Sequence, residues 1–199
     1  MNYDLRNRYV FSAVFAALIS ISGFIIIPIG VIPIVLKNLF VVLSGAVLGG
    51  FFGAFSVLIF IIAGILGAPV FVIPGFGAFS TPLGGYIIGY FLACLVCGLI
   101  CGKPKISERK IKFFFVIKLF LALLSGFIII LLCGMFYMMH LNSMTLASAF
   151  IAGVVPYIPG DLIKLAACIP LALRLRPIAA HYINPEPTAE IPVMHPAEK

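Results

Sequence analysis

Charge is scarce in this chain. Charged residues make up 10% of the 199 positions, with six acidic residues in all and three histidines. That scarcity excludes most soluble enzymes, whose surfaces are roughly one-quarter charged. No second carboxylate, Ser–His arrangement or metal-ligating set accompanies the acidic residue found in the apolar regions. Catalysis by a carboxylate pair or a nucleophilic triad therefore has no visible machinery. His140, His181 and His195 fall in expected loops or in the tail, without a nucleophile or base in reach by sequence. Nothing resembles a phosphate-cradling, nucleotide-binding loop, so any ATP-driven step would belong to another subunit. The five cysteines, Cys94, Cys97, Cys101, Cys133 and Cys168, lie in apolar segments without partners at zinc-ligand spacing. They read as small buried hydrophobes, with no metal and no cofactor expected.

What is abundant is apolar surface. Hydrophobic residues make up 63% of the chain, and mean hydropathy is +1.26. These values predict an all-α integral membrane protein, because each spanning helix needs about 20 residues. Six spans are expected over about 9–28, 33–50, 51–66, 81–101, 112–136 and 145–174, forming one membrane domain over 1–183. The proline-rich stretch 184–199 reads as an extended cytoplasmic tail. Arg6 and Arg8 before the first apolar run superficially resemble a signal peptide. The run is long, lacks a convincing cleavage site and leads into further spans, so a permanent first helix is expected.

The net charge of +7 is a topology signal and not a nucleic-acid footprint. With six crossings, the N-terminal Arg6 and Arg8, the loop carrying Lys103, Lys105, Arg109, Lys110 and Lys112, and the terminal Arg174 and Arg176 share one side. The opposite loops contain no Lys or Arg. The positive-inside rule makes the basic side, with both termini, cytoplasmic. Lys118 is expected to snorkel to that surface.

The most informative stretch is Val155-Pro156-Tyr157-Ile158-Pro159-Gly160-Asp161-Leu162-Ile163-Lys164. Its prolines and glycine predict a break over Pro156–Gly160, with a fresh helix starting near Pro159. Asp161 then lies in a helical first turn, where the macrodipole favours negative charge, and Lys164 follows at i+3 on nearly the same face. From Pro159 to Arg174 is 16 residues, roughly 24 Å of helix, which puts Asp161 in the outer half of the membrane. An ionisable pair at a helix break inside a membrane marks a substrate or ion pathway. The plainer alternative is a pair that merely locks the last segment against its neighbours. Lys37, about a turn into the second segment, would share the outer half with it. The loop Gly67–Ser80 is apolar yet rich in glycine and proline. It is expected either to cover an apolar ligand with Phe71, Phe76 and Phe79, or to be a plain re-entrant plug. Ala13 and Ala17 form a small-residue stripe on the first helix, suited to close helix approach.

Taken together, Pro33-Ile34-Val35-Leu36-Lys37, Gly64-Ile65-Leu66-Gly67-Ala68-Pro69-Val70-Phe71, Thr81-Pro82-Leu83-Gly84-Gly85-Tyr86-Ile87-Ile88-Gly89 and Pro159-Gly160-Asp161-Leu162-Ile163-Lys164 resemble the BioY family. These are the biotin-capturing substrate-binding (S) components of energy-coupling-factor (ECF) transporters, and the resemblance spans about Arg8 to Arg176. It implies the six-helix S-component fold, an outward-facing vitamin pocket and a bacterial cytoplasmic membrane location. It implies Asp161 and Lys164 as contacts to biotin's ureido ring, with Tyr86 and Tyr157 among the lining residues. It also implies that Ala13 and Ala17 dock on a transmembrane coupling subunit that works with ATPase subunits. Transport by the chain alone or as a homo-oligomer is the alternative. Two departures stand out: Val35 and Lys37 replace the family's usual Thr and Gln, and Thr81-Pro82-Leu83 replaces Gly-Pro-Thr. Lys37 would hold biotin's carboxylate or compensate Asp161. A different vitamin such as thiamin or riboflavin, a biotin precursor, an intramembrane enzyme with Asp161 as base and a ligand-free scaffold are the competing readings.

Overall fold

The computed structural model describes residues 3–27, 34–105 and 113–183. Among them run seven α-helices: α1 (Tyr3–Ser22), α2 (Lys37–Leu48), α3 (Gly50–Ile65), α4 (Leu83–Cys101), α5 (Phe113–Leu141), α6 (Leu146–Gly153) and α7 (Ile158–Ile183). With α6 and α7 as the two halves of one broken region, they make the expected six helical regions of a membrane fold. Leu83–Cys101, Phe113–Leu141 and the stretch Leu146–Ile183 are each long and apolar enough to cross a bilayer, and α2 and α3 are shorter apolar helices. The tail 184–199 and the basic residues Arg109, Lys110 and Lys112 lie outside the described residues.

The first two regions differ most from expectation. α1 starts at Tyr3 and ends at Ser22, short of Pro28. The β-branched run behind it favours extended backbone, and β1 (Ile26–Ile27) pairs antiparallel with β2 (Ile34–Val35), Ile26 opposite Val35. This small ladder consumes residues expected in the second span. Lys37 is consequently the first residue of α2 and not a turn inside it.

α2 is the axis of the bundle. Leu39 and every residue from Val41 to Leu48 are buried, against α1, α3, α4, α5 and α7. Such packing depends on small residues. A Cβ at Gly98 of α4 would lie within 2.6 Å of Gly50 Cα, so the α2–α3 junction and α4 touch through backbone. Hydroxyls inside the bundle are satisfied locally: Ser44 donates to Val41 O at 2.7 Å and Ser56 to Gly53 O at 2.6 Å. Cys94, Cys97, Cys101 and Cys168 are buried, and Cys133 is half-buried. Cys97 and Cys168 direct their thiols at Val42 O and Leu39 O along α2.

α7 continues nine residues past the expected end at Arg174, through Pro170 and Pro177. Proline inside a helix is tolerated where neighbouring helices stabilise the freed backbone groups. The two terminal arginines, two positions apart, face opposite ways. Arg174 is exposed, but Arg176 has 0% exposure and is no loop anchor. Its Nη1 donates to Ala46 O, and Nη2 approaches the carbonyls of Cys101, Gly102 and Lys103 at 3.3–3.4 Å. The guanidinium lies 5.4 Å from the centre of the Phe115 ring. One cation thus caps the C-termini of both α2 and α4, where unpaired carbonyls and the helix dipoles attract it. Replacing Arg176 by Ala strands those carbonyls, and the protein should lose about 3 kcal/mol or more. The unfolding midpoint in detergent should fall accordingly, with Arg176→Lys recovering only part of the loss because an ammonium lacks the fork. Arg174→Ala should leave the midpoint nearly unchanged.

Candidate functional site

The site grows from the break between α6 and α7. α6 opens on Thr145, whose side chain accepts from Ser148 N. It closes at Gly153, and Val155–Tyr157 makes a single 3₁₀ turn with proline near its start. α7 then begins at Ile158, one residue before the expected position, with Asp161 in its first turn. Carboxylate charge at this end is favoured by the exposed N–H groups and the dipole.

Asp161 and Lys164 are both buried, at 6% and 5% exposure. Lys164 Nζ forms an ion pair with Asp161 Oδ1 and donates to Val35 O at 3.4 Å. Neither carboxylate oxygen makes a well-aligned hydrogen bond among the described residues, and the Asn38 side chain of α2 is a neighbouring donor within reach of the carboxylate. The ion pair alone fits either a ligand site or a packing lock. The poorly satisfied carboxylate favours the former, because buried polar groups in a finished lock are almost always hydrogen-bonded. An acceptor held out of water without a well-aligned donor suits an incoming N–H.

Two tyrosines of α4 neighbour the carboxylate. Tyr86 and Tyr90, one helical turn apart on α4, both lie within electrostatic reach of Asp161. The Tyr86 ring centre is 6.0 Å from that of Tyr157. Its hydroxyl donates to Gly153 O at 2.8 Å, which fixes the end of α6. Its ring fills space that a Cβ at Gly134 would occupy. Tyr90 leads on to Phe60 (6.4 Å) and Phe60 to Phe71 (5.3 Å).

The three loop phenylalanines do not act alike. Phe71 is buried against Phe60 and Gly64, so it anchors the loop. Phe76 is 71% exposed, and half-buried Phe79 leans on it at 5.4 Å. Their stretch, Gly75–Ser80, is a 3₁₀ helix tied to α5 by the Tyr137 hydroxyl, which donates to Phe79 O. Lys37 reaches the loop and not the acid: its Nζ donates to Val70 O at 2.8 Å, and Asp161 is ion-paired only with Lys164 among the described residues. Ala13 and Ala17 lie on the exposed face of α1 with Val10, Val14, Leu18 and Ile21. Lys118 is exposed on α5.

Asn38 and Tyr90 were not singled out by sequence reasoning. The signals existed: Asn38 is a polar residue opening an apolar segment, and Tyr90 stands four residues after Tyr86 on the same helix face. No group of three or more His, Cys, Asp or Glu that could hold a metal occurs among the described residues. A cavity of about 230 Å³ lies at the other end of the bundle, lined by Arg8, Leu48, Phe52, Leu99, Lys103 and Ile183 among others. It is remote from Asp161.

With this geometry in view, comparison with known proteins is informative. The family model described as BioY family matches residues 2–181. The "Probable biotin transporter BioY" of Pyrococcus horikoshii is 36% identical over 166 residues, covering 82% of this chain and 93% of the relative. The "Biotin transporter BioY" of Thermotoga maritima is 34% identical, covering 85% and 96%. That of Lactococcus lactis is 33% identical, covering 88% and 93%. Among solved structures, the S-component for biotin from an ECF-type ABC transporter superposes with a TM-score of 0.71 at 29% identity, covering 88% of this chain and 94% of that one. A family match over nearly the whole chain, carried by a helical bundle with the same overall fold, establishes that this protein belongs to the BioY family.

Proposed function

We propose that this chain captures biotin at the outer face of the membrane and serves as the substrate-binding component of an ECF-type transporter, without catalysing a reaction. The observation that carries the reading is the buried Asp161 carboxylate, ion-paired with Lys164, with Asn38 alongside and no well-aligned hydrogen bond to either oxygen among the described residues. Biotin's cyclic urea offers N–H donors to such a carboxylate and a carbonyl to such an ammonium. The adjacent Tyr86, Tyr90 and Tyr157 suit its thiophane ring and valeryl chain. Relatives named as biotin transporters, and a biotin S-component of like fold, support the same assignment.

The basic N-terminus, the loop after α4 and Arg174 support a cytoplasmic-membrane orientation with both termini inside. ATP-driven uptake then requires a transmembrane coupling subunit and ATPase subunits, and the exposed Ala13–Ala17 stripe is the proposed docking face.

Isothermal titration of the purified protein should give heat for biotin and none for thiamin or riboflavin. Absence of biotin heat from folded protein ends the reading. Asp161→Asn and Lys164→Ala should each weaken biotin at least tenfold, about 1.4 kcal/mol or more, and unchanged affinity in both removes the site assignment. Ala13→Trp with Ala17→Trp should leave biotin affinity intact while reducing uptake and co-purification with coupling subunits. Normal uptake in that double variant would remove the stripe from the interface.

A further inference from the structure

Lys37 stands where three elements meet. Its Nζ donates to Val70 O at 2.8 Å and lies 5.2 Å from the centre of the Phe60 ring on α3. It also fills the space beside Gly23 after α1, where an added Cβ would come within 2.8 Å of Nζ and 2.5 Å of Cε. An ammonium has three donors and no acceptor. Here one serves a carbonyl, and the positive head also rests over the negative face of an aromatic ring. The carbonyl belongs to the residue before Phe71, which is itself buried against Phe60 and Gly64. Cation and ring therefore fix the same two loop residues. Glycines in left-handed conformation stand on either side of them, Gly67 with φ +95 and Gly75 with φ +76. Beyond Gly75 the loop has its own tie, through Tyr137 to Phe79 O.

The geometry points to Lys37 as a positioning residue: we infer that it latches the Gly67–Gly75 segment beside the biotin site and is not the partner of the ligand's carboxylate. The ligand identity rests on the function proposed above; the latch itself does not. On this inference the ligand leaves past that segment, and the cation–carbonyl bond is the charged contact resisting its movement. A charge-assisted bond is stronger than a neutral one, so its loss should be felt chiefly as faster dissociation.

The test uses the purified full-length protein, wild type against Lys37→Met, Lys37→Gln and Gly23→Ala. Gly23→Ala leaves the lysine in place but crowds its head off the seat, so it reports on the latch without deleting the charge. Dissociation rates are measured for biotin and for biotin methyl ester, which lacks the negative charge, and amide hydrogen exchange is followed over residues 68–74 without ligand. Lys37→Met should release both ligands about tenfold faster, by the same factor, and should speed exchange in 68–74 by a similar factor. Lys37→Gln, which keeps a donor, and Gly23→Ala should fall between. A loss confined to biotin would assign Lys37 to the carboxylate and overturn the inference. Unchanged exchange over 68–74 in Lys37→Met would overturn it too. Should wild type bind neither compound, the biotin reading fails, and the exchange rates alone decide the latch.

Discussion

Taking a carboxylate and an ammonium out of water costs several kcal/mol for each ion, and their mutual attraction recovers this only with good geometry and further hydrogen bonds. That constraint shapes the end of this bundle where α6 meets α7. Asp161 receives the first-turn N–H environment of α7 because Val155–Tyr157 interrupts the helix immediately before it. Lys164 gains Val35 O as a second acceptor, and Val35 is presented by the short ladder with Ile26. Tyr86 holds the preceding helix end in register through Gly153 O. The helix break, the ladder and the tyrosine are each local irregularities. All three serve the same buried pair.

α7 also carries the chain's second deep cation. From Asp161 to Arg176 is 15 residues, roughly 22 Å along a helix, so one element presents a charged pair near one end and a carbonyl-capping guanidinium near the other. α2 lies between these ends as the buried axis. Its first turn neighbours the pair through Asn38, and its last turn gives Ala46 O to Arg176. Both ends of α2 are thus set by α7, while its middle accepts the Cys97 and Cys168 thiols. A bundle of apolar helices has little hydrophobic drive to select one packing inside lipid, and polar contacts of this kind supply the register.

Most of this arrangement was legible as chemistry and much less as partnership. The single acid in the apolar runs and the Pro-x-x-Pro-Gly break announced the helix interruption and the buried pair behind it, because each is a departure from a uniform background. Arg176 was not legible. Two residues from exposed Arg174, it reads from sequence as the same cytoplasmic anchor, and only the packing of α2 and α4 against α7 shows it buried. Lys37 misled in a related way. A cation near a lone acid suggests pairing, yet the acid is held by Lys164 and Lys37 is drawn to Val70 O. Phe71 joined Phe76 and Phe79 as loop aromatics by composition, and separated from them because Phe60 and the missing Cβ at Gly64 offer it a seat. What pairs with what depends on the third dimension, and helix-forming periodicity does not encode it.

Under the proposed reading, polar and aromatic parts of the site divide the work of discrimination unequally. A carboxylate oxygen left without a donor rejects a ligand that cannot supply an N–H, since the penalty is that of an unsatisfied buried acceptor. Thiamin and riboflavin differ from a cyclic urea in where they place donors and acceptors, so the Asp161–Lys164 pair bears against them. A precursor that already contains the cyclic urea satisfies that pair as well as biotin does. Only the apolar walls can then tell the two apart, and missing apolar contact is worth no more than about 1–3 kcal/mol per methylene. The geometry around Asp161 therefore selects a chemical class sharply and a member of that class weakly. On the proposed reading, Tyr86, Tyr90 and Tyr157 set the finer choice.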